Sequence, residues 1–557
     1  MRTEVILSWV MFLLSLVLVA CTHNDIVGDG VSVDIKNRSL YNEAAYVPSQ
    51  CYTKTEDTDG RIHNPCFTCH IDAVIPNYMD DWDLQRGYTF REYARTNRWS
   101  NLFKDRRNAV SAISDAEITE YIRTDNYITP EGQLLLASTL KQLPQAWDID
   151  GDGVWNGYIP DCYYDFDNEG FDRDANGKDT GWRAFGYYPL PGTFWPTNGS
   201  TDDVLIRLPK DFRMLREGVF DRETYKVNLL IIESLIKQKT IESFAIDETR
   251  YGVDLDKDGQ LATAEEIVFD YAPRDGKYMS YVGMAKAKHH AIAAGLYPVG
   301  TEFLHSVRYV DTDEKGNTRL SPRMKELRYG KKIRWMSYSD HRRIADEEMQ
   351  DRRAFPDRLE VFIGDAERGI SNKRGWRYQG FIEDASGALR PQSYEENLQC
   401  IGCHANIGVL ADSTFAFQRK FEKDSFQEGW FHWSQHGLNG IKEPKTPDGR
   451  FEYTLYLQEN HAGDEFRANT EIVQQFFNGE ALEHDAVEQL HHNIAHLLFP
   501  SPSRALELNK AYKVIVNEQS FIYGRDATLM PLTEVHKELN DEQKTGIVSP
   551  VRYEKSL

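Results

Sequence analysis

Apolar positions are spread unevenly along the chain, and their spacing predicts a mixture of helices and strands joined by long polar segments. One unbroken apolar stretch runs from Val5 to Ala20, just behind Arg2. Ser111 to Arg123 reads as a helix. Tyr225 to Lys239 reads as a better one, its apolar residues falling on one stripe. Strand-like runs follow at Glu302–Val310 and Leu359–Ile363. Two further helical stretches, Glu480–Leu498 and Ala505–Asn517, lie near the end. The pattern predicts an α+β, loop-rich, multi-domain fold. Its expected regions are 1–20, a polar tether at 21–37, an N-terminal region at 38–128, an Asp/Gly/Tyr-rich region at 129–311 and a C-terminal region at 312–557.

The stretch Val5–Ala20 has the length of a signal-peptide core and is short for a membrane span. It ends in Leu18-Val19-Ala20-Cys21, which resembles the bacterial lipobox. That resemblance implies acylation of Cys21 and a membrane anchor made of lipid. Thr22 stands where inner-membrane lipoproteins carry Asp, which points to the outer membrane, on its periplasmic or cell-surface side. Later in the chain the longest apolar run is Val227–Ile236, too short to cross a bilayer.

Charge narrows the partners. The net charge is −22, so the surface repels nucleic acid, whose affinity comes from neutralised phosphates. Such acidity suits basic protein partners or divalent cations. The 29 Tyr and 11 Trp argue against wholesale disorder.

Two five-residue motifs carry the chemistry. Cys66-Phe67-Thr68-Cys69-His70 and Cys400-Ile401-Gly402-Cys403-His404 both read C-x-x-C-H. Two thiols at this spacing bond the two vinyl groups of one porphyrin, and the following His is placed beneath the iron. Rival readings are a redox C-x-x-C or half of a zinc site. The zinc reading needs paired knuckles close in sequence, and these lie far apart. The motifs resemble those of c-type cytochromes, which implies two covalently bound haem c groups held by Cys66, Cys69, His70, Cys400, Cys403 and His404. Helices are then expected around both haems. Candidate sixth ligands are His305, in the apolar run Phe303–Val307, and His436, close in sequence to the second motif. No His follows His70 until His289, so the first haem is expected to draw its sixth ligand from a distant segment such as the run holding His305. Once haem and lipid are assigned, Cys51 and Cys162 are left as a candidate disulfide.

A third pattern is acidic. Asp254-Leu255-Asp256-Lys257-Asp258-Gly259-Gln260-Leu261-Ala262-Thr263-Ala264-Glu265 matches the twelve-residue EF-hand loop. Asp254, Asp256, Asp258, Gln260 and Glu265 are its candidate calcium ligands. Asp148, Asp150 and Asp152 open a similar loop that lacks the closing Glu, with Asp161 a candidate substitute. Asp172-Arg173-Asp174-Ala175-Asn176-Gly177 is a third, weaker match, for which an Asx-type turn is the plain alternative.

Together these features predict a lipid-anchored electron relay with two haems and bound calcium, working between membrane or periplasmic redox proteins, basic cytochromes among them. Catalysis at one open haem, as in dihaem peroxidases, is the alternative. A surface binding module with structural haems is a third.

Overall fold

The strand expected at Glu302–Val310 is the centre of the fold. In the computed structural model it runs from Glu302 to Thr312 (β5) and pairs antiparallel along its length with Thr318–Lys332 (β6). The structure describes residues 33–193, 196–423, 425–460, 469–540 and 543–552. The apolar stretch Val5–Ala20, Cys21 and most of the tether lie outside them.

Eight more strands complete the sheet: Phe171–Arg173 (β1), Asp179–Phe185 (β2), Ser200–Asp202 (β3), Val204–Arg207 (β4), Gly364–Asp365 (β7), Gly369–Ser371 (β8), Trp376–Glu383 (β9) and Leu389–Pro391 (β10). The order is β7-β8-β9-β6-β5-β4-β2-β1, with β10 on β9 and β3 on β5. Every pairing is antiparallel. Leu205, Leu304, Leu327 and Phe381 are buried among Trp155, Trp182 and Tyr127. Tyr309 and Ile382 instead pack on Ile118, Ile122, Leu508 and Ile515 from helices Asp115–Arg123 (α1) and Pro502–Glu518 (α4). Covering both faces lets so many strand residues be apolar.

The helix expected at Tyr225–Lys239 is observed at Arg222–Lys237 (α2), capped by the Asp221 side chain, which accepts from Thr224 N–H at 2.8 Å. It is no amphipathic surface helix. Val227 through Ile236 are all buried, Glu233 included. Glu233 is tolerated because Lys237 and Lys420 pair with it. Ser111–Arg123 breaks in two, because Ser114 caps a new helix at Asp115. Among the described residues Leu359–Ile363 pairs with no strand; Leu359, Val361 and Ile363 are exposed, Ile363 at 76%, while Phe362 is buried. His492 and His496 do not share a helix, since Asn493 ends the segment His484–His492.

Val33–Leu557 group by their contacts into one unit. The sheet draws strands from both sides of position 311, and the N-terminal region is tied to the chain end by Asn101, whose side chain donates to Ser520 and Gly524 carbonyls. The architecture is α+β, as expected.

Candidate functional site

The first C-x-x-C-H motif forms a single tight turn, Pro65–Thr68. Asn64, 2% exposed, accepts from Cys66 N–H at 3.0 Å, and Pro65 occupies the first turn, where a missing N–H costs nothing. His70 N–H closes the turn onto Cys66 carbonyl at 2.9 Å. The His70 imidazole then donates from Nδ1 to Asp81 Oδ2 at 2.8 Å.

The second motif ends the helix Tyr394–His404 (α3), which opens with a capping box between Ser393 and Glu396. Positions 400, 403 and 404 share one face by the helical period. Gly402 is needed on another face, since a Cβ there would stand 2.1 Å from the Tyr46 carbonyl. His404 donates from Nδ1 to the Ser413 carbonyl at 3.0 Å. Tyr378 and Phe415 stack on its ring at centroid distances of 4.6 and 5.8 Å. Burial, with His305 and Arg328 nearby, pushes the His404 imidazolium down to about 4, so the ring is neutral at neutral pH. Neutral imidazole is the form that binds a metal.

Folding brings the motifs together. Val409 N–H donates to the Cys69 carbonyl at 3.1 Å. Gly408 N–H donates to Asp81 Oδ1 at 3.1 Å across 327 positions of sequence. A Cβ on Gly408 would meet the Ile71 carbonyl at 2.2 Å, so only glycine allows this approach. The Asn77 side chain, buried, seals the contact by donating to the Ile407 and Leu410 carbonyls.

A cavity of about 270 Å³ lies against the second motif, lined by Cys400, Cys403, His404, Tyr378, Phe415 and His305. His305 comes from β5 and donates from Nδ1 to Asp202 Oδ1 at 3.2 Å, and Tyr187 OH donates to the other oxygen at 3.0 Å. The expected pairing of His305 with the first motif is therefore corrected: it shares a cavity with His404. His436 is corrected as well. It is exposed, stacked on Phe426 at 4.7 Å, and does not line this cavity, because closeness in sequence did not bring it to the face that carries Cys400, Cys403 and His404.

Burial raises all four motif thiols, those of Cys66 and Cys69 up to about 12. A C-x-x-C oxidoreductase needs the opposite, a thiol poised to ionise. Cys51 and Cys162 are both free thiols, which corrects the expected disulfide. Cys51 stands in the field of Cys66, Cys69 and Cys403, whereas Cys162 lies in the sheet core beside Trp182 and Leu205.

The EF-like loop gathers a different set of acids from the one expected. Glu248, Asp254 and Asp256 bring carboxylate oxygens within 4.8 Å of one another. Glu265 is exposed on the strand Thr263–Ile267 and takes no part, because the chain leaves the loop as a strand and not as a helix. Asp258 also stands outside the group. Glu248, 0% exposed, accepts from Leu255 and Ala262 N–H at 2.5 and 3.0 Å. Asp254 Oδ1 is buried with no hydrogen-bond partner among the described residues. Burial, with Glu248, Asp258 and Asp254 around it, raises the Asp256 carboxyl.

Asp148, Asp150 and Asp152 form the second group. The carboxylate closing that loop is Glu367, 0% exposed, which accepts from Asn156 and Ile149 N–H. Asp161 is committed elsewhere, to Arg207 at 2.6 Å and Trp182 at 2.9 Å. Arg368 pairs with Asp150. The third acidic match is the β1–β2 hairpin turn, in which Asp174 accepts from Asn176 and Lys178 N–H.

Sequence reasoning missed Asp81, Ser413, Asp202 and Glu248, the groups that orient the motif residues. None stands at a motif position, though Glu248 could have been noticed as an acid just ahead of the loop.

The model of a lipoprotein family matches residues 35–495. A protein named only as an uncharacterized lipoprotein, from Aquifex aeolicus (strain VF5), is 31% identical over 90% of this chain and 88% of its own length. No solved structure matches. Among the described residues no helix is long and apolar enough to cross a membrane. The expectation that the chain falls among the c-type cytochromes is thereby corrected: its likeness to them stops at ten residues, while the likeness to lipoproteins spans most of its length. The chain belongs to this lipoprotein family, whose name fits attachment to a membrane through lipid.

Proposed function

We propose that this lipoprotein carries two covalently attached haems, at Cys66–His70 and Cys400–His404, and relays electrons between redox proteins at the membrane. One observation carries the reading. His70, His404 and His305 each donate from Nδ1, to Asp81, to the Ser413 carbonyl and to Asp202. In all three the hydrogen bond engages Nδ1 and leaves Nε2 as the nitrogen on offer to a metal. Iron-binding histidines are held in the same way, the second nitrogen fixing ring orientation and basicity. Cys66, Cys69 and His70 would hold one haem. Cys400, Cys403 and His404 would hold the other in the cavity described above, and His305, which lines the same cavity, would supply a further ligand. Haem supplies one-electron chemistry there. The chain's part is to fix the ligands, exclude water and keep the two motifs adjacent through Asp81, Gly408 and Val409.

The net charge of −22 suits basic redox partners. Thr22 after Cys21 favours the outer membrane. Calcium at Glu248, Asp254 and Asp256 would relieve the crowding of three carboxylates, a structural role. The Asp148–Asp150–Asp152 loop is a weaker site of the same kind, because Arg368 already neutralises Asp150.

The test is a haem-stained denaturing gel of the protein made in a host able to attach haem. Cys66→Ala with Cys69→Ala, and Cys400→Ala with Cys403→Ala, should each remove about half the signal, one haem per motif. All four changes together should remove it. A wild-type chain without stain would end the reading.

A further inference from the structure

Lys332 and Asp412 are both 0% exposed and face each other as an ion pair. Lys332 Nζ reaches both carboxylate oxygens. Tyr297 N–H donates to Asp412 Oδ2 at 2.8 Å. His341 stands against the same carboxylate, its Nε2 3.8 Å from Oδ1 and without a hydrogen bond. A buried ion pair seldom stabilises a fold more than apolar residues of the same volume, so this one needs another reason to be there.

The reason lies one residue on. Asp412 and Ser413 are both left-handed, with φ of 48° and 64°. Two successive non-glycine residues stay in that region only where their surroundings over-determine it. Ala411 and Thr414 close the turn with reciprocal hydrogen bonds of 2.9 and 3.0 Å. Its product is the Ser413 carbonyl, which accepts from His404 Nδ1 at 3.0 Å and from Tyr378 OH at 3.2 Å. Any shift of the turn would leave Lys332 as an uncompensated charge inside the protein, at the end of β6.

We infer that Lys332 and Asp412 are positioning residues for His404: by locking the Ala411–Thr414 turn they fix the carbonyl that holds His404 in its Nδ1–H form, and so set the ligand strength of Nε2. This rests on the haem reading above for its consequence, though not for its geometry.

The test is the double variant Lys332→Met, Asp412→Asn in the full-length, haem-loaded protein. Removing both charges strands neither, and Asn tolerates the left-handed turn and can still accept from Tyr297. Both haems should remain attached. The low-spin electron paramagnetic resonance signal of one haem should shift and its midpoint potential should rise, since a looser hold on Nδ1–H makes a weaker ligand. The other haem should be unchanged. A lower melting temperature with both signals and potentials as in the wild type would overturn the inference. If the double variant fails to fold, Asp412→Glu, which keeps the charge and displaces it by one methylene, is subject to the same two readouts. A wild type that carries no haem would sink the haem reading instead. The nitrogen-15 shifts of His404 would then decide: loss of the Nδ1–H tautomer in the variant supports the inference, and its retention overturns it.

Discussion

Asp81 and His70 share a 2.8 Å hydrogen bond, and the same Asp81 carboxylate takes the N–H of Gly408 at 3.1 Å with its other oxygen. One side chain, 4% exposed, therefore orients the histidine of the first motif and ties it to the loop that follows the second. Asp81→Ala should leave the Gly408 N–H without its partner and release the His70 ring. The expected loss is about 1–3 kcal/mol of stability, the usual cost of stranding a buried donor. The denaturant midpoint measures it. An unchanged midpoint would mean that the two motifs are held together by other contacts.

His305 should ligate the haem at Cys400–His404 and not the one at Cys66–His70. His305→Ala should convert one low-spin signal to high spin while haem stain stays at the wild-type level. The same substitution made in a chain lacking Cys400 and Cys403 should change nothing. Carbon monoxide should then bind the altered C-terminal haem. If the high-spin signal persists in the chain without the second motif, the assignment is wrong.

Calcium should depend on Glu248 rather than Glu265. A ligand bound only by the native state adds about 2.7 kcal/mol at a hundredfold excess over its dissociation constant. Glu248→Gln should abolish the rise in melting temperature that calcium produces, whereas Glu265→Gln should leave it intact. Equal losses in the two variants would restore the loop as read from its sequence.

Asp172 gives a pH test of the sheet. Burial pushes its carboxyl from 3.8 up to about 6 in the fold. The native state thus binds more protons than the unfolded chain between those values. Stability from this group is fully present below pH 3.8 and is lost as pH rises through about 6. Asp172→Asn should remove that decline and flatten the melting temperature across the window. A slope equal to the wild type's would show that other groups set it.

How far the molecule could be read from its residues varied with the range of the interaction. The C-x-x-C-H motifs and the strand at Glu302–Val310 were legible because local spacing encodes them. The same holds for the helix near the end, seen at Pro502–Glu518. Their mutual placement was not. It depends on Gly408 approaching Ile71 and on one carboxylate reaching across the fold, and no periodicity records either. His436 was misread because it is near in sequence, and Leu359–Ile363 because a strand-like run forms a strand only if a partner edge is offered. The EF-like loop had its right acids at the first and third positions, Asp254 and Asp256, but the chain enters after a buried Glu248 and leaves on a strand. The closing acid therefore comes from before the loop.

Both motifs should carry covalent haem. Mass spectrometry of the proteolytic peptides spanning Cys66–His70 and Cys400–His404, from protein made in a host competent for haem attachment, tests it most directly. One haem adduct is expected on each peptide, with both cysteines of each motif unavailable to thiol alkylation. Two unmodified peptides whose four cysteines all alkylate after denaturation would contradict it.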